Sequence, residues 1–224
     1  MPEHPATQKA QLRAALAVDR TLTTAQLERR GLARAAEWLA LPTVTRTCRT
    51  RTTQPHSDID LVFVALDDSV LTRPSRDLMH DAGLAEARHR LQRGMVPSAR
   101  WRHVELAGRQ RVHLPDAEVL HHDPRKDWAV EFDAGYSPER REAKLEAAAR
   151  VGYGVLVWAT SIHARIPVVT AQAAALHSRE RLSGVEGVVA VFVDFWSSRD
   201  PYADRPRCHK DMTKSVWFRE RAGG

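Results

Sequence analysis

Acidic residues occur in this chain at spacings suited to a divalent cation. Leu114-Pro115-Asp116 is followed by Val130-Glu131-Phe132-Asp133. In an extended strand the side chains alternate, so Glu131 and Asp133 project to one face while Trp128, Val130 and Phe132 pack on the other. If the strand carrying Asp116 is the neighbour, Asp116 meets Glu131 at the sheet edge. Clustered carboxylates are what a hard ion such as Mg²⁺ or Mn²⁺ requires. Such an ion polarises a phosphodiester and lowers the pKa of an attacking water, and a further cation beside it stabilises charge on the pentavalent phosphate. Glu118 shares a strand face with Asp116 and can replace one of these ligands; spacing alone does not choose. A duller reading makes Glu131 and Asp133 the polar face of an exposed strand. The apolar Trp128, Val130 and Phe132 point instead to a central strand, where inward charge is costly unless paired or metal-bound.

The elements that must position these residues are legible in the pattern. A helix over 74–92 sets His80, Leu84, Ala87 and Leu91 on one face. Strands are predicted at 101–106, 113–120 and 128–134. A helix then opens with Ser137 as N-cap and Pro138 at its first position, and runs to 151. The apolar run at 153–160 reads as a buried strand, followed by a helix over 168–182 and a strand over 185–195. The basic tail after Ser197 carries Trp217 and Phe218 as its candidate anchors, because large aromatics rarely stay exposed without a partner.

Upstream, helical spacing marks residues 7–19. Thr23 with Gln26 forms a capping box for a second helix, and Leu22 with Leu27 a hydrophobic staple. That helix stops at Gly31, and a third, over 32–41, is ended by Pro42. The stretch VTRTCRTRTTQPHSD leading into IDLVFVAL reads as a hairpin. Three helices followed by a basic hairpin is the order of a winged helix-turn-helix. Arg46, Arg49 and Arg51 along the hairpin, and Arg29, Arg30 and Arg34 around the turn and third helix, are candidates for DNA phosphates and the groove. The competing reading is a small helical domain that binds protein or dimerises. The division expected is residues 1–70 for this module and 71–224 for the acidic domain.

Composition sets outer bounds. The 224 residues are 43% hydrophobic, enough for a packed core, and carry a formal charge of +6 with a sequence pI of about 9.8. A basic balance favours an anionic partner such as nucleic acid, although Ala and Arg abundance can equally follow genomic base composition. Cys48 and Cys208 have no metal-type spacing and fit a reducing compartment. The polar start MPEHPATQKAQ does not read as a signal peptide, and no stretch nears the roughly 20 apolar residues that span a bilayer. The expectation is a cytoplasmic protein without a membrane partner.

The runs LPDAEVL and WAVEFDAG, with the helix containing Lys144, resemble the PD-(D/E)xK signature of restriction-endonuclease-like enzymes. The order helix, three strands, helix, strand over 74–160 resembles their αβββαβ core. More narrowly, these runs and DLMHDAGLAEARHRL resemble the bacterial plasmid replication-relaxation family, which joins a winged helix to such a domain. The implied fold is mixed α/β, a winged helix-turn-helix followed by an αβββαβ core with a mixed central sheet. The resemblance makes Asp116 and Glu131 metal-binding acids and puts Asp133 where the catalytic lysine normally stands. Lys144 then matches a lysine that has migrated to the following helix, and His80 a metal-ligating helix histidine of exonucleases of the RecB type. Against these stand a satisfied core histidine at position 80, and for Lys144 a solvated helix laced with Glu142, Glu146, Arg140 and Arg141. The activity implied is Mg²⁺- or Mn²⁺-dependent cleavage or nicking of DNA linked to plasmid or mobile-element replication. The alternatives are an inactive DNA-binding replication or transcription factor on the same fold, and a transposase-associated endonuclease. A homodimer and a replication or transposition partner protein stay open.

Overall fold

The computed structural model describes residues 3–50, 57–94, 100–104, 114–133, 135–200 and 212–218. The chain is mixed α and β and forms two compact units. Residues 1–89 combine with 193–208, and residues 90–192 with 209–224. The sequence boundary at 70 therefore moves to 89, inside a helix, and the first unit takes back a later segment.

In the first unit, α1 (Pro5–Asp19) leads into β1 (Thr21–Thr23), α2 (Thr24–Arg29) and α3 (Ala33–Trp38). The antiparallel pair β2 (Thr43–Arg49) and β3 (Asp58–Ala65) follows, then α4 (Asp68–Leu71) and α5 (Ser75–Gly94). The capping box forms as the sequence demands. Thr23 Oγ1 accepts from the Gln26 amide, and Gln26 Oε1 accepts from the Thr23 amide at 3.0 Å. Gly31, at φ +68°, supplies the left-handed turn that ends α2. Leu12, Leu16, Leu22, Leu27, Leu32, Ala35, Val64 and Ala85 close one apolar core. The three strands form a sheet in the order β1-β3-β2. β1 was not anticipated: three residues are too few to show a period, and only pairing with Phe63–Ala65 makes them a strand.

In the second unit, β4 (Arg100–His103), β5 (Ala117–Leu120) and β6 (Trp128–Asp133) are antiparallel neighbours. α6 (Pro138–Val151) crosses to β7 (Val155–Thr160), parallel to β6, and α7 (Arg165–Ser178) crosses to β8 (Gly187–Phe192), parallel to β7. β9 (Thr213–Trp217) returns antiparallel at the edge, completing a six-stranded mixed sheet in the order β4-β5-β6-β7-β8-β9. β6, β7 and β8 are buried along almost their whole length, and their near-continuous apolar runs reflect cover on both faces. α6 keeps the expected bounds, with Ser137 accepting from the Arg140 amide and Gly152 as a left-handed cap.

Boundaries differ where tertiary pairing overrides local pattern. α7 starts at Arg165 rather than 168, because Pro167 in a first turn removes no intrahelical hydrogen bond. It stops at Ser178, ahead of Glu180 at φ +61°. β8 stops at Phe192, and Val193–Phe195 join the first unit. Of the tail anchors, Phe218 stacks on His177 with ring centroids 3.9 Å apart. Trp217 is half exposed, its ring lying against Gly187, where any side chain would collide with it. Among the described residues, no helix is long and apolar enough to cross a membrane.

Candidate active site

Asp116 stands just before β5, its backbone extending the ladder. Its amide donates to the Val130 carbonyl at 3.0 Å and its carbonyl accepts from the Val104 amide at 3.1 Å. Its Oδ2 accepts from the Phe132 amide at 2.9 Å, which fixes the carboxylate against β6. Glu131 lies in the middle of that strand, 5% exposed. Lys144, 6% exposed on α6, donates to Glu131 Oε1 at 2.8 Å and to the Leu114 carbonyl at 2.8 Å. The solvated-helix reading of Lys144 is thereby set aside: its ammonium is buried and points into the acidic cluster.

The electrostatics of this cluster are strained. Burial, and beside it the charge of Asp116, hold the Glu131 carboxyl well above the ordinary carboxylate range against the pull of Lys144. Glu131 Oε2 is buried without a hydrogen-bond partner among the described residues. A protonated Glu131 can donate to Asp116; an ionised one leaves Oε2 bare beside a second negative charge. A cation held by both carboxylates removes that conflict, and two carboxylates completed by waters suit Mg²⁺. Asp116 and Glu131 are the two carboxylates that could hold a divalent ion here, with waters completing its shell.

Asp133 has a different task. It is fully buried, and Oδ1 accepts from the amides of Gly135 at 2.6 Å and Tyr136 at 2.5 Å. Arg165 donates to Oδ2 at 2.5 Å and to Oδ1 at 2.7 Å, and the Trp158 indole to Oδ2 at 3.1 Å. With its lone pairs occupied, Asp133 builds the β6–α6 turn rather than offering a ligand. Its assignment as a catalytic carboxylate is corrected accordingly. His80 lies on α5 in the first unit, and among the described residues no group of three His, Cys, Asp or Glu side chains can hold a metal ion. The assignment of His80 as a third ligand is therefore not supported. Glu118, the alternative ligand, is engaged by Arg102 at 2.6 Å and by the Tyr153 hydroxyl.

Tyr136 and Arg165 were not singled out from the sequence. The phenol of Tyr136 is pushed up by burial and then by the charges of Asp116 and Glu131, which puts it in the field of the cluster. The available signal was an Asp at a strand end followed by Gly135 and an N-capping Ser137, the pattern of a side-chain-built turn.

The arginines of the first unit divide sharply. Arg29 pairs with Glu86 at 3.0 Å and donates to the carbonyls of Asp194, at 2.5 Å, and Ser197. Arg30 reaches Glu86 at 3.3 Å and Asp19 at 3.7 Å. Both are largely buried, so their charge is spent inside the unit, and their assignment to DNA is corrected. Arg46 shares the inward parity of Val44 and Cys48 and donates to the Leu71 carbonyl at 3.2 Å. Arg49 lies on the opposite, exposed parity and pairs across the hairpin with Asp58 at 3.0 Å. Alternation thus does not line these guanidinium groups along one face. Arg34 is exposed on α3, one turn ahead of Trp38, itself 44% exposed. Arg51 lies outside the described residues. Comparison with protein families, with curated proteins and with solved structures gives no match for this chain.

Proposed function

We propose that this chain is a DNA-binding protein whose second unit cleaves or nicks a phosphodiester with the help of Mg²⁺ or Mn²⁺. The observation that carries the reading is the Asp116–Glu131 pair with the buried Lys144 ammonium on Glu131. Along the chain, α5, which lies mostly in the first unit, is followed by three antiparallel strands, a helix and a parallel strand, an order that supports the motif resemblance of LPDAEVL and WAVEFDAG to restriction-endonuclease-like enzymes. In such a site the metal supplies Lewis acidity and an activated water. Asp116 and Glu131 hold it. Lys144 keeps Glu131 oriented and adds a positive charge where the phosphate becomes more negative. Asp133, held by Arg165 and Trp158, keeps the adjoining turn rigid.

The first unit supports DNA as the substrate. Its order α1-β1-α2-α3-β2-β3 with sheet order β1-β3-β2 supports reading it as a winged helix, a module whose third helix enters the major groove. Arg34 on α3 is then the leading contact, with Arg49 next. The resemblance to plasmid replication-relaxation proteins directs the reading toward plasmid or mobile-element DNA. A second reading, a DNA-binding factor without catalysis, is favoured by one observation: among the described residues no group of three His, Cys, Asp or Glu side chains is placed to hold a metal ion.

The test is cleavage of supercoiled plasmid with Mg²⁺ or Mn²⁺, comparing the parent with Asp116→Ala, Glu131→Ala and Lys144→Met. Nicking by the parent is expected to fall at least about a hundredfold in each variant. Salt-sensitive DNA retention with no cleavage in any of them would leave the non-catalytic reading.

A further inference from the structure

Arg140 stands apart from the other arginines around the cluster. Arg102, Arg165 and Arg181 each pair with a carboxylate, and Arg141 donates to the Tyr136 carbonyl at 3.0 Å and to Gln172 at 3.2 Å. Arg140 is exposed, and among the described residues its guanidinium has no carboxylate at ion-pair distance. It lies over the Tyr136 ring, its central carbon 4.1 Å from the centroid. Stacking uses the face of a guanidinium and leaves the in-plane N–H donors turned outward, the edge that meets a phosphate.

The platform is rigid. Asp133 accepts from the Tyr136 amide and Arg141 donates to its carbonyl, while the ring meets buried Trp158 edge-on at 6.0 Å. Arg140 precedes Lys144 by four residues on α6, so both extend from one helix face a turn apart. Lys144 points inward to Glu131, and Arg140 is at the solvent end of the same stripe. Charge explains why such a residue is needed. Lys144 is buried against Glu131 and the Leu114 carbonyl, so its ammonium is not turned to solvent where a phosphodiester would approach.

We propose that Arg140, stacked on Tyr136, is the residue of the second unit that binds a DNA phosphate beside the Asp116–Glu131–Lys144 cluster, with Tyr136 as its positioning residue. This rests on the DNA-cleavage reading for the identity of the ligand. It goes beyond that reading by assigning the substrate contact to a side chain outside the acidic constellation.

The experiment uses the full chain and a linear DNA duplex in Ca²⁺, where binding is read without cleavage. Retention is followed against salt for the parent, R140Q, R140K, Y136F and Y136A, with thermal unfolding as a control for folding. R140Q is expected to weaken retention about tenfold and to lower the log–log salt slope by about one, the loss of one phosphate contact. R140K restores much of the slope. Y136F, which keeps the ring, behaves as the parent, and Y136A as R140Q. Mn²⁺ binding, read directly by electron paramagnetic resonance, is unchanged in R140Q and lost in Asp116→Ala. If the parent cleaves, R140Q raises KM and leaves kcat within about twofold. A salt slope and affinity in R140Q equal to the parent's overturn the proposal, as does a parent that retains no DNA. A parent that retains DNA but neither binds Mn²⁺ nor cleaves overturns the catalytic reading alone, and the R140Q slope still decides the role of Arg140.

Discussion

Glu131 brings burial, the charge of Asp116 and the ammonium of Lys144 to bear on one side chain. Its Oε1 accepts from Lys144, and its Oε2 is buried without a hydrogen-bond partner among the described residues. Burial and then the charge of Asp116 raise its carboxyl well above the ordinary 4.5, so the folded chain holds this proton to higher pH than the unfolded chain does. The sign follows directly. The native state holds this proton more tightly than the unfolded chain, so the contribution to stability is full below about 4.5 and is lost as pH rises through the folded pKa. A divalent ion competes with the same proton. Mn²⁺ affinity is therefore expected to rise with pH, and binding to release a proton. Titration calorimetry in buffers of differing ionisation enthalpy measures that proton, and a buffer-independent enthalpy would show that Glu131 is already ionised or is no ligand. That Asp116 could meet Glu131 was readable from alternation and an apolar strand context, which are local properties, but the choice between Asp116 and Glu118 waited on the fold, which engages Glu118 with Arg102 and Tyr153. The turn-building role of Asp133 was not readable, since it depends on Arg165 and Trp158 from distant segments.

Among the elements, α2 and α5 show how charge can be recruited for packing. Glu86 on α5 accepts from Gln26 at 3.0 Å and pairs with Arg29 and Arg30, while Asp19 at the end of α1 pairs with Arg88 at 2.6 Å. Burial alone would raise the Glu86 carboxyl, but Arg30, Arg29 and the Gln26 amide together bring it below its usual value. Its stabilisation is thus present above about 4.5 and is lost as pH falls through the lower folded pKa. Glu86→Gln removes the carboxylate that the two buried guanidinium groups share, leaving Arg29 with carbonyl acceptors and Arg30 with the more distant Asp19, and is expected to cost about 3 kcal/mol at neutral pH. The difference from the parent should shrink under acid, which urea unfolding at several pH values would read. An undiminished gap at low pH would mean that Glu86 acts through shape rather than charge. An Arg-Arg pair beside a helix-turn-helix pattern suggests phosphate contacts; only the position of α5 reveals that Glu86 already claims them.

At the scale of the molecule, the division at residue 89 changes what the first unit needs in order to exist. Its core includes Ala85 of α5, and Phe195, fully buried, returns from far along the chain to accept a hydrogen bond from the Thr23 hydroxyl. A fragment ending at residue 70 lacks both, together with Glu86 and Arg88. It is expected to show no cooperative thermal transition, because its remaining buried area is too small to offset the chain entropy. A sharp transition for that fragment would show that α1–α3 and the hairpin close a core unaided.

Local codes determined much of this protein. The Thr23–Gln26 box, the Ser137–Pro138 start of α6 and the apolar runs of β6 to β8 are each written within a few residues, where capping, periodicity and alternation act. Tertiary structure decided the rest. It turned Lys144 inward onto Glu131, filled the lone pairs of Asp133, withdrew Arg29 and Arg30 into ion pairs, made strands of Thr21–Thr23 and Thr213–Trp217, and returned residues 193–208 to the first unit. The physical reason is common to all of these. A long charged side chain or a short extended segment has no strong local preference, so its state is set by the partner that the fold brings to it.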